Sequence, residues 1–193
     1  MKFTQIPTTA MEEMQLNAGV LLSSFAPSTA EVSGIIGATT GGIKFSATPT
    51  YSDFGEDIDN CPKNMMELKR QDSVEVKISG TFVTVTNAVA KKLMAAADIG
   101  TSDRTKITPR NDLKTEDFAD LWWVGDYSDK NGATNGGFVA IHVMNALNTG
   151  GFQLQSGDKS KGQFAFEFTG HYSIENQDVV PYEVYIKAGT AEG

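Results

Sequence analysis

Residues 120–173, DLWWVGDYSDKNGATNGGFVAIHVMNALNTGGFQLQSGDKSKGQFAFEFTGHYS, decide the fold class. Apolar runs (LWWV, FVAIHVMNAL, FAFEF) alternate with clusters of Gly, Asn, Asp, Ser and Lys, which is the pattern of successive β-strands divided by turns. Two Asn-Gly pairs, Asn131-Gly132 and Asn135-Gly136, offer the positive φ that a reversing loop needs. They predict a reversal between a strand around Trp122-Trp123 and a strand over 138–147. Phe164, Phe166 and Phe168 then share one face of a strand over 163–174.

Working outward, the same reading extends to both ends. Residues 1–17 are polar and threonine-rich with scattered Phe3, Ile6, Met11, Met14 and Leu16, and read as an arm. A short strand is predicted over 18–23. A glycine-rich connection over 34–42 leads into a strand with Ile43, Phe45 and Ala47 on one face, and Pro49 places its later part at a sheet edge. Over 74–79, Val74, Val76 and Ile78 alternate with Glu75, Lys77 and Ser79. Phe82, Val83 and Val85 break that alternation after Gly80, predicting a bulge or a strand end. One helix is predicted over about 87–98, capped by Asn87, with Val89, Leu93 and Ala97 inward, Lys91 and Lys92 outward, and Gly100 as its stop. Thr115 to Phe118 reads as a helical turn, and a last strand covers 182–187. The fold class is therefore mainly β, a sandwich or partly closed barrel with one flanking helix, and 193 residues fit a single domain.

Composition narrows the function. A formal charge of −8 argues against a surface that grips nucleic acid, because phosphate binding needs clustered Lys and Arg. The single cysteine, Cys61, gives no disulfide framework or metal-ligand spacing and fits a free thiol made in a reducing cytoplasm. Neither a leader-like apolar stretch nor a run approaching the roughly 20 residues of a membrane span occurs, so no membrane binding is expected.

Catalytic motifs fail one by one. In GIIGATTGGIK (34–44), Ile43 stands where a Walker A lysine should follow Gly42, and the dinucleotide spacing is absent. Aligning Gly132 with the glycine of a calcium loop puts Tyr127 and Phe138 at ligand positions. There is no H-E-x-x-H, no G-x-S-x-G and no Cys/His grouping, and His142 and His171 read as structural. Carboxylate pairs such as Asp117/Asp120 and Asp126/Asp129 read as solvated or turn-forming. Trp122 and Trp123, being adjacent on a strand, point to opposite sides, one to the core and one to an interface, so only one could stack on a sugar with Tyr127. No cofactor is expected. A carbohydrate-binding β-sandwich and a small hydrolase with an Asp/His pair remain as alternatives.

Residues 53–73 form a connection of unusual length. It carries Asp53, Glu56, Asp57 and Asp59, then Lys63, Lys69 and Arg70, with Phe54, Ile58, Met65, Met66 and Leu68 interspersed. The two readings are a loop folded back on its own core and a docking arm for a neighbouring subunit.

Five segments in order, LNAGVLL (16–22), DFGEDIDNCPKNMMELK (53–69), ITPRNDL (107–113), LWWVGDYSDKNG (121–132) and DVVPYEVYI (178–186), resemble the major tail protein, or tail tube protein, of long-tailed bacteriophages. The resemblance spans most of the chain. It implies a structural virion protein, not an enzyme, made in the host cytoplasm and assembled as homohexameric rings stacked into a tail tube. Its partners would be further copies of itself, a tape-measure protein, and tail-tip and tail-terminator proteins, with DNA passing through transiently on delivery. Under this resemblance Phe3, Ile6, Phe54, Ile58, Met65, Met66 and Leu68 are expected at subunit interfaces. About four strands per subunit would line the bore; roughly 24 strands spaced about 4.8 Å and tilted about 40° give a backbone ring roughly 48 Å across, too wide for side chains to fill. Glu75, Ser79, Thr81, Glu167 and Thr169 are expected to face that lumen, with carboxylates in excess and Lys77 neutralised by a neighbour.

Overall fold

The computed structural model describes residues 5–128 and 136–189. Phe3, Asp129 and the Asn131-Gly132 and Asn135-Gly136 pairs lie at least partly outside the described residues. The chain is mainly β and its sheet is antiparallel. Ten strands are described: β1 (Gln15–Ala26), β2 (Glu31–Ile35), β3 (Thr39–Asp53), β4 (Lys69–Phe82), β5 (Ala97–Ile99), β6 (Ile107–Pro109), β7 (Ala119–Tyr127), β8 (Gly137–Asn148), β9 (Phe164–Gly170) and β10 (Tyr182–Lys187). One α-helix, α1 (Asn87–Leu93), follows β4, and β5 and β6 pair as a small separate ribbon.

Eight strands form one continuous sheet in the order β2-β1-β7-β8-β9-β4-β3, with β10 also paired to β8. Strand β8 serves two halves along one edge: residues 138–143 pair with β10, and Leu147 and Asn148 pair with β9. The switch falls at Asn145, which takes a φ of 48° and gives its N–H to the Asp120 carboxylate at 3.1 Å. Asn tolerates this left-handed geometry better than most residues, so the bend is written locally.

The two halves pack face to face. Val74, Val76, Ile78, Phe82, Phe166 and Phe168 from one half meet Leu21, Leu121 and Val143 from the other, with Val89 and Leu93 of α1 closing the core. A second cluster on the far side of the β1-β7-β8 half gathers Leu22, Phe25, Trp122, Val124, Phe138 and Ala140. Trp122 and Trp123 do point to opposite sides, but both sides are packed within the chain: Trp122 sits in the second cluster and Trp123 lies against the first. The interface expected for one of them is thus an intramolecular contact.

Several boundaries differ from the sequence expectations. Strand β1 starts at Gln15, opposite Tyr127, so the last residues of the expected arm are strand. Part of the 34–42 connection is also strand. Its Gly41 and Gly42, at φ 75° and 81°, form the extra residues of a bulge in β3 opposite Gly80 and Thr81. The alternation in β4 therefore does not break at Gly80: Val74, Val76, Ile78 and Phe82 all face the core, the strand ends at Phe82 as the strand-end reading has it, and the bulge belongs to the partner strand. Gly80 is small because the Phe166 ring crosses it, leaving 2.8 Å from a built Cβ to the ring.

Helix α1 stops at Leu93 rather than near residue 98, and its cap is Thr86, whose hydroxyl accepts the Val89 N–H at 3.3 Å. Ala95 turns the chain at φ 59°, and Ala97 enters β5 fully buried, so Gly100 is not the stop. Lys91 and Lys92 are half-buried, and burial followed by the neighbouring Lys91 charge lowers the Lys92 ammonium below its usual range. Pro49 lies on β3, an edge strand as expected, and Thr115–Asp117 forms a 3-10 turn.

Candidate functional site

Strands β3 and β4 form a long hairpin whose ladder runs from Thr39↔Phe82 to Asp53↔Lys69. The expected 53–73 loop is shorter as a result. Asp53 closes β3, residues 69–73 belong to β4, and the connection covers 54–68. Asp53 organises this tip: one carboxylate oxygen accepts the Asn64 N–H at 2.8 Å and the other accepts the Gly55 N–H at 2.9 Å. Those two backbone donors, Asn64 foremost, hold the Asp53 carboxyl below the usual carboxylate range, with Lys69 and Lys63 adding to it. Turns from Ile58 N–H to Gly55 and from Leu68 N–H to Met65, and a Cys61 Sγ to Met65 Sδ contact of 3.4 Å, complete the tip.

The tip is not folded back on the core. Phe54 is 59% exposed and Met66 82%, with Ile58 and Met65 also exposed and Leu68 half-buried. None of them belongs to either core cluster. The tip thus combines a hydrogen-bonded backbone with uncovered apolar side chains. In the N-terminal arm Ile6 is likewise 83% exposed.

The five residues expected to face the lumen share one sheet face, opposite the core. Ser79 pairs directly with Glu167, Lys77 with Thr169 and Thr81 with Ala165. Lys77 lies between two carboxylates, 2.7 Å from Glu75 and 3.7 Å from Glu167. The Glu75 hydrogen bond raises the Lys77 ammonium above its usual range, against partial desolvation and with help from Glu167. Strand β3 adds Lys44 opposite Ser79, Ser46 opposite Lys77 and Thr48 opposite Glu75. The face is therefore a hydroxyl-rich surface on which Lys44 and Lys77 match Glu75 and Glu167. The carboxylate excess of the chain lies elsewhere.

Sequence reasoning treated Asp117 and Asp120 as solvated or turn-forming, and the structure gives both fixed partners. Asp117, with no exposed side-chain surface, takes both carboxylate oxygens to Arg110 Nη2 at 2.7 and 2.8 Å and accepts the Lys114 N–H. Burial alone would raise its carboxyl, but the Lys114 N–H and the Arg110 guanidinium outweigh it and hold it below the usual range. Arg110 also pairs with Asp98 at 2.9 Å, so the arginine that follows β6 ties β5 to the 115–117 turn. No periodicity announces such a tie, and the signal was only the lone arginine among three carboxylates.

His142 lies 3.1 Å from Asp120 and 3.5 Å from Glu183, with its ring stacked 4.1 Å from that of Trp122. Neither carboxylate contact has hydrogen-bond geometry. The ring is wedged among its neighbours, with its side chain 13% exposed. Trp122 is 8% exposed and offers no open stacking platform for a sugar. His171 Nδ1 sits 3.1 Å from the Asn145 carbonyl, edge-on to Phe118.

Among the described residues no group of three His, Cys, Asp or Glu could hold a metal ion, and no helix is long and apolar enough to cross a membrane. No family model and no curated protein matches the chain.

Proposed function

We propose that this protein is the tail tube protein of a long-tailed bacteriophage, a structural virion component rather than an enzyme, which polymerises as stacked hexameric rings around a tape-measure protein and later conducts DNA. The observation that carries this reading is the β3–β4 hairpin, whose ordered tip holds Phe54, Ile58, Met65 and Met66 away from both core clusters. Ordering such a tip costs conformational entropy that uncovered apolar groups do not return in a lone chain, and burial against a neighbour does.

The polar face of β3, β4 and β9, extended by the end of β8, supports the same reading. It supplies three strands per subunit and the two β8 residues paired with β9, Leu147 and Asn148, with Glu75, Ser79, Thr81, Glu167 and Thr169 toward the bore. Its ion-paired lysine and many hydroxyls give a passing duplex few free cations to bind. The whole chain acts as one tube domain, with tail-tip and terminator proteins at the two ends of the polymer.

Electron microscopy of purified protein, alone and with a tail-tip nucleus, tests the proposal. Hollow tubes are expected. A monomer at every concentration, with and without the nucleus, contradicts it.

A further inference from the structure

The hairpin tip needs a receiving surface, and the strand that leads away from it ends beside one. Strand β4 begins at the tip with Lys69 and ends at Phe82, a run of 14 residues. At roughly 3.3 Å per residue that places about 43 Å between its ends. Just beyond the far end, α1 and the β5–β6 turn enclose a cleft of about 550 Å³ lined by Asn87, Ala88, Ile99, Thr101 and Arg104.

The walls of this cleft are fixed. Asn87 Nδ2 donates to the Arg104 carbonyl at 2.7 Å, and the Gly100 and Lys106 backbones are bonded at 2.9 Å. Its negative charges are already engaged: Asp98 pairs with Arg110, and the Asp103 carboxylate accepts the Thr105 N–H and hydroxyl. The exposed Arg104 and Lys106 side chains have no ion pair among the described residues. The leading turn of the tip presents the complement, Glu56, Asp57 and Asp59 around the exposed Ile58.

Resting on the tube reading, we infer that the tip of one copy docks in the α1–β5 cleft of a second copy, Ile58 against Ala88 and Ile99, and the three carboxylates against Arg104 and Lys106. Because tip and cleft lie at opposite ends of β4, the contact is head-to-tail. Repetition of a heterologous contact of this kind propagates an open polymer rather than a closed dimer.

Charge exchange tests it. Arg104→Glu with Lys106→Glu changes two exposed side chains and should lower tube yield at least tenfold while leaving the circular dichroism spectrum unchanged. Adding Glu56→Lys, Asp57→Lys and Asp59→Lys to the same chain should restore tubes. In parallel, Ile58→Cys with Ala88→Cys in a Cys61→Ser background should give a disulfide ladder on oxidation of assembled particles. Wild-type tubes with an unchanged yield for the charge-reversed cleft, or with no ladder, overturn the docking site and leave the tube reading standing. Wild-type protein that never assembles, even on a nucleus, overturns both.

Discussion

Replacing Asn148 by alanine should destabilise the fold by about 2–4 kcal/mol, because one side chain there satisfies three backbone groups. Asn148 is 3% exposed. Its amide nitrogen donates to the Leu93 carbonyl at 2.6 Å and to the Gly151 carbonyl at 2.9 Å, and its oxygen accepts the Glu167 N–H at 2.9 Å. These bonds tie the end of α1, the β8–β9 connection and strand β9 together where the two halves of the sheet meet. Gly151 is exposed, so water replaces that bond. The Leu93 carbonyl and the Glu167 N–H are the two left short of a partner, each at roughly 1–2 kcal/mol, the lower part of the cost of an unmet buried group. For a chain of this size the loss corresponds to a melting temperature lower by roughly 5–15 °C. Asn148→Asp keeps the acceptor but sets a carboxylate against two carbonyls, so it should be at least as damaging. Thermal and urea unfolding followed by circular dichroism measure both. An alanine variant melting within about 2 °C of wild type refutes the keystone role.

Met65→Asp with Met66→Asp should leave unfolding within about 0.5 kcal/mol of wild type, since both side chains are exposed, yet abolish tube stacking in electron micrographs; normal tube yield would remove the tip from the interface. Gly80→Val should cost about 1–3 kcal/mol, because the Phe166 ring occupies the space its side chain needs, and chemical denaturation reads the loss. The Asp53 carboxyl is depressed in the folded protein, so its contribution is present above the unfolded carboxylate range and is lost as pH falls through the depressed folded value. The protection of the Gly55 and Asn64 amides, taken relative to the intrinsic exchange rate at each pH, should accordingly fall on acidification, and in the Asp53→Asn variant that protection should change little with acid. Equal acid sensitivity in wild type and variant would show that Asp53 does not organise the tip.

The strands with strict alternation were legible because side-chain direction has a period of two: Val74, Val76 and Ile78 on β4, the three phenylalanines of β9, and β10 to the residue. Residues near bulges were not. A pair of glycines in β3 absorbs two extra residues opposite Gly80 and Thr81; of the two readings of the shift after Gly80, the strand end holds, since β4 stops at Phe82, while the bulge lies in the partner strand. The helix was overextended because alanines 95–97 have helical propensity, while the positive φ at Ala95 and the burial of Ala97 in β5 are imposed by tertiary packing. The site divides in the same way. The content of the 53–73 connection singled out the apolar residues of the tip, the family resemblance pointed to the polar residues of the β4–β9 face, and the register brings the latter together. The Arg110–Asp117 pair and the Asp120 contact with Asn145 depend on folded geometry that no spacing rule encodes.

The most direct test of the central claim is a cryo-electron microscopy reconstruction of the assembled protein grown on a tail-tip nucleus. The account predicts a hollow six-fold tube whose inner wall is the β3-β4-β9 face, with Glu75, Ser79, Thr81, Glu167 and Thr169 toward a bore that admits a DNA duplex. A bore too narrow for a duplex, a positively charged lumen, or a persistent monomer beside a competent nucleus would contradict it.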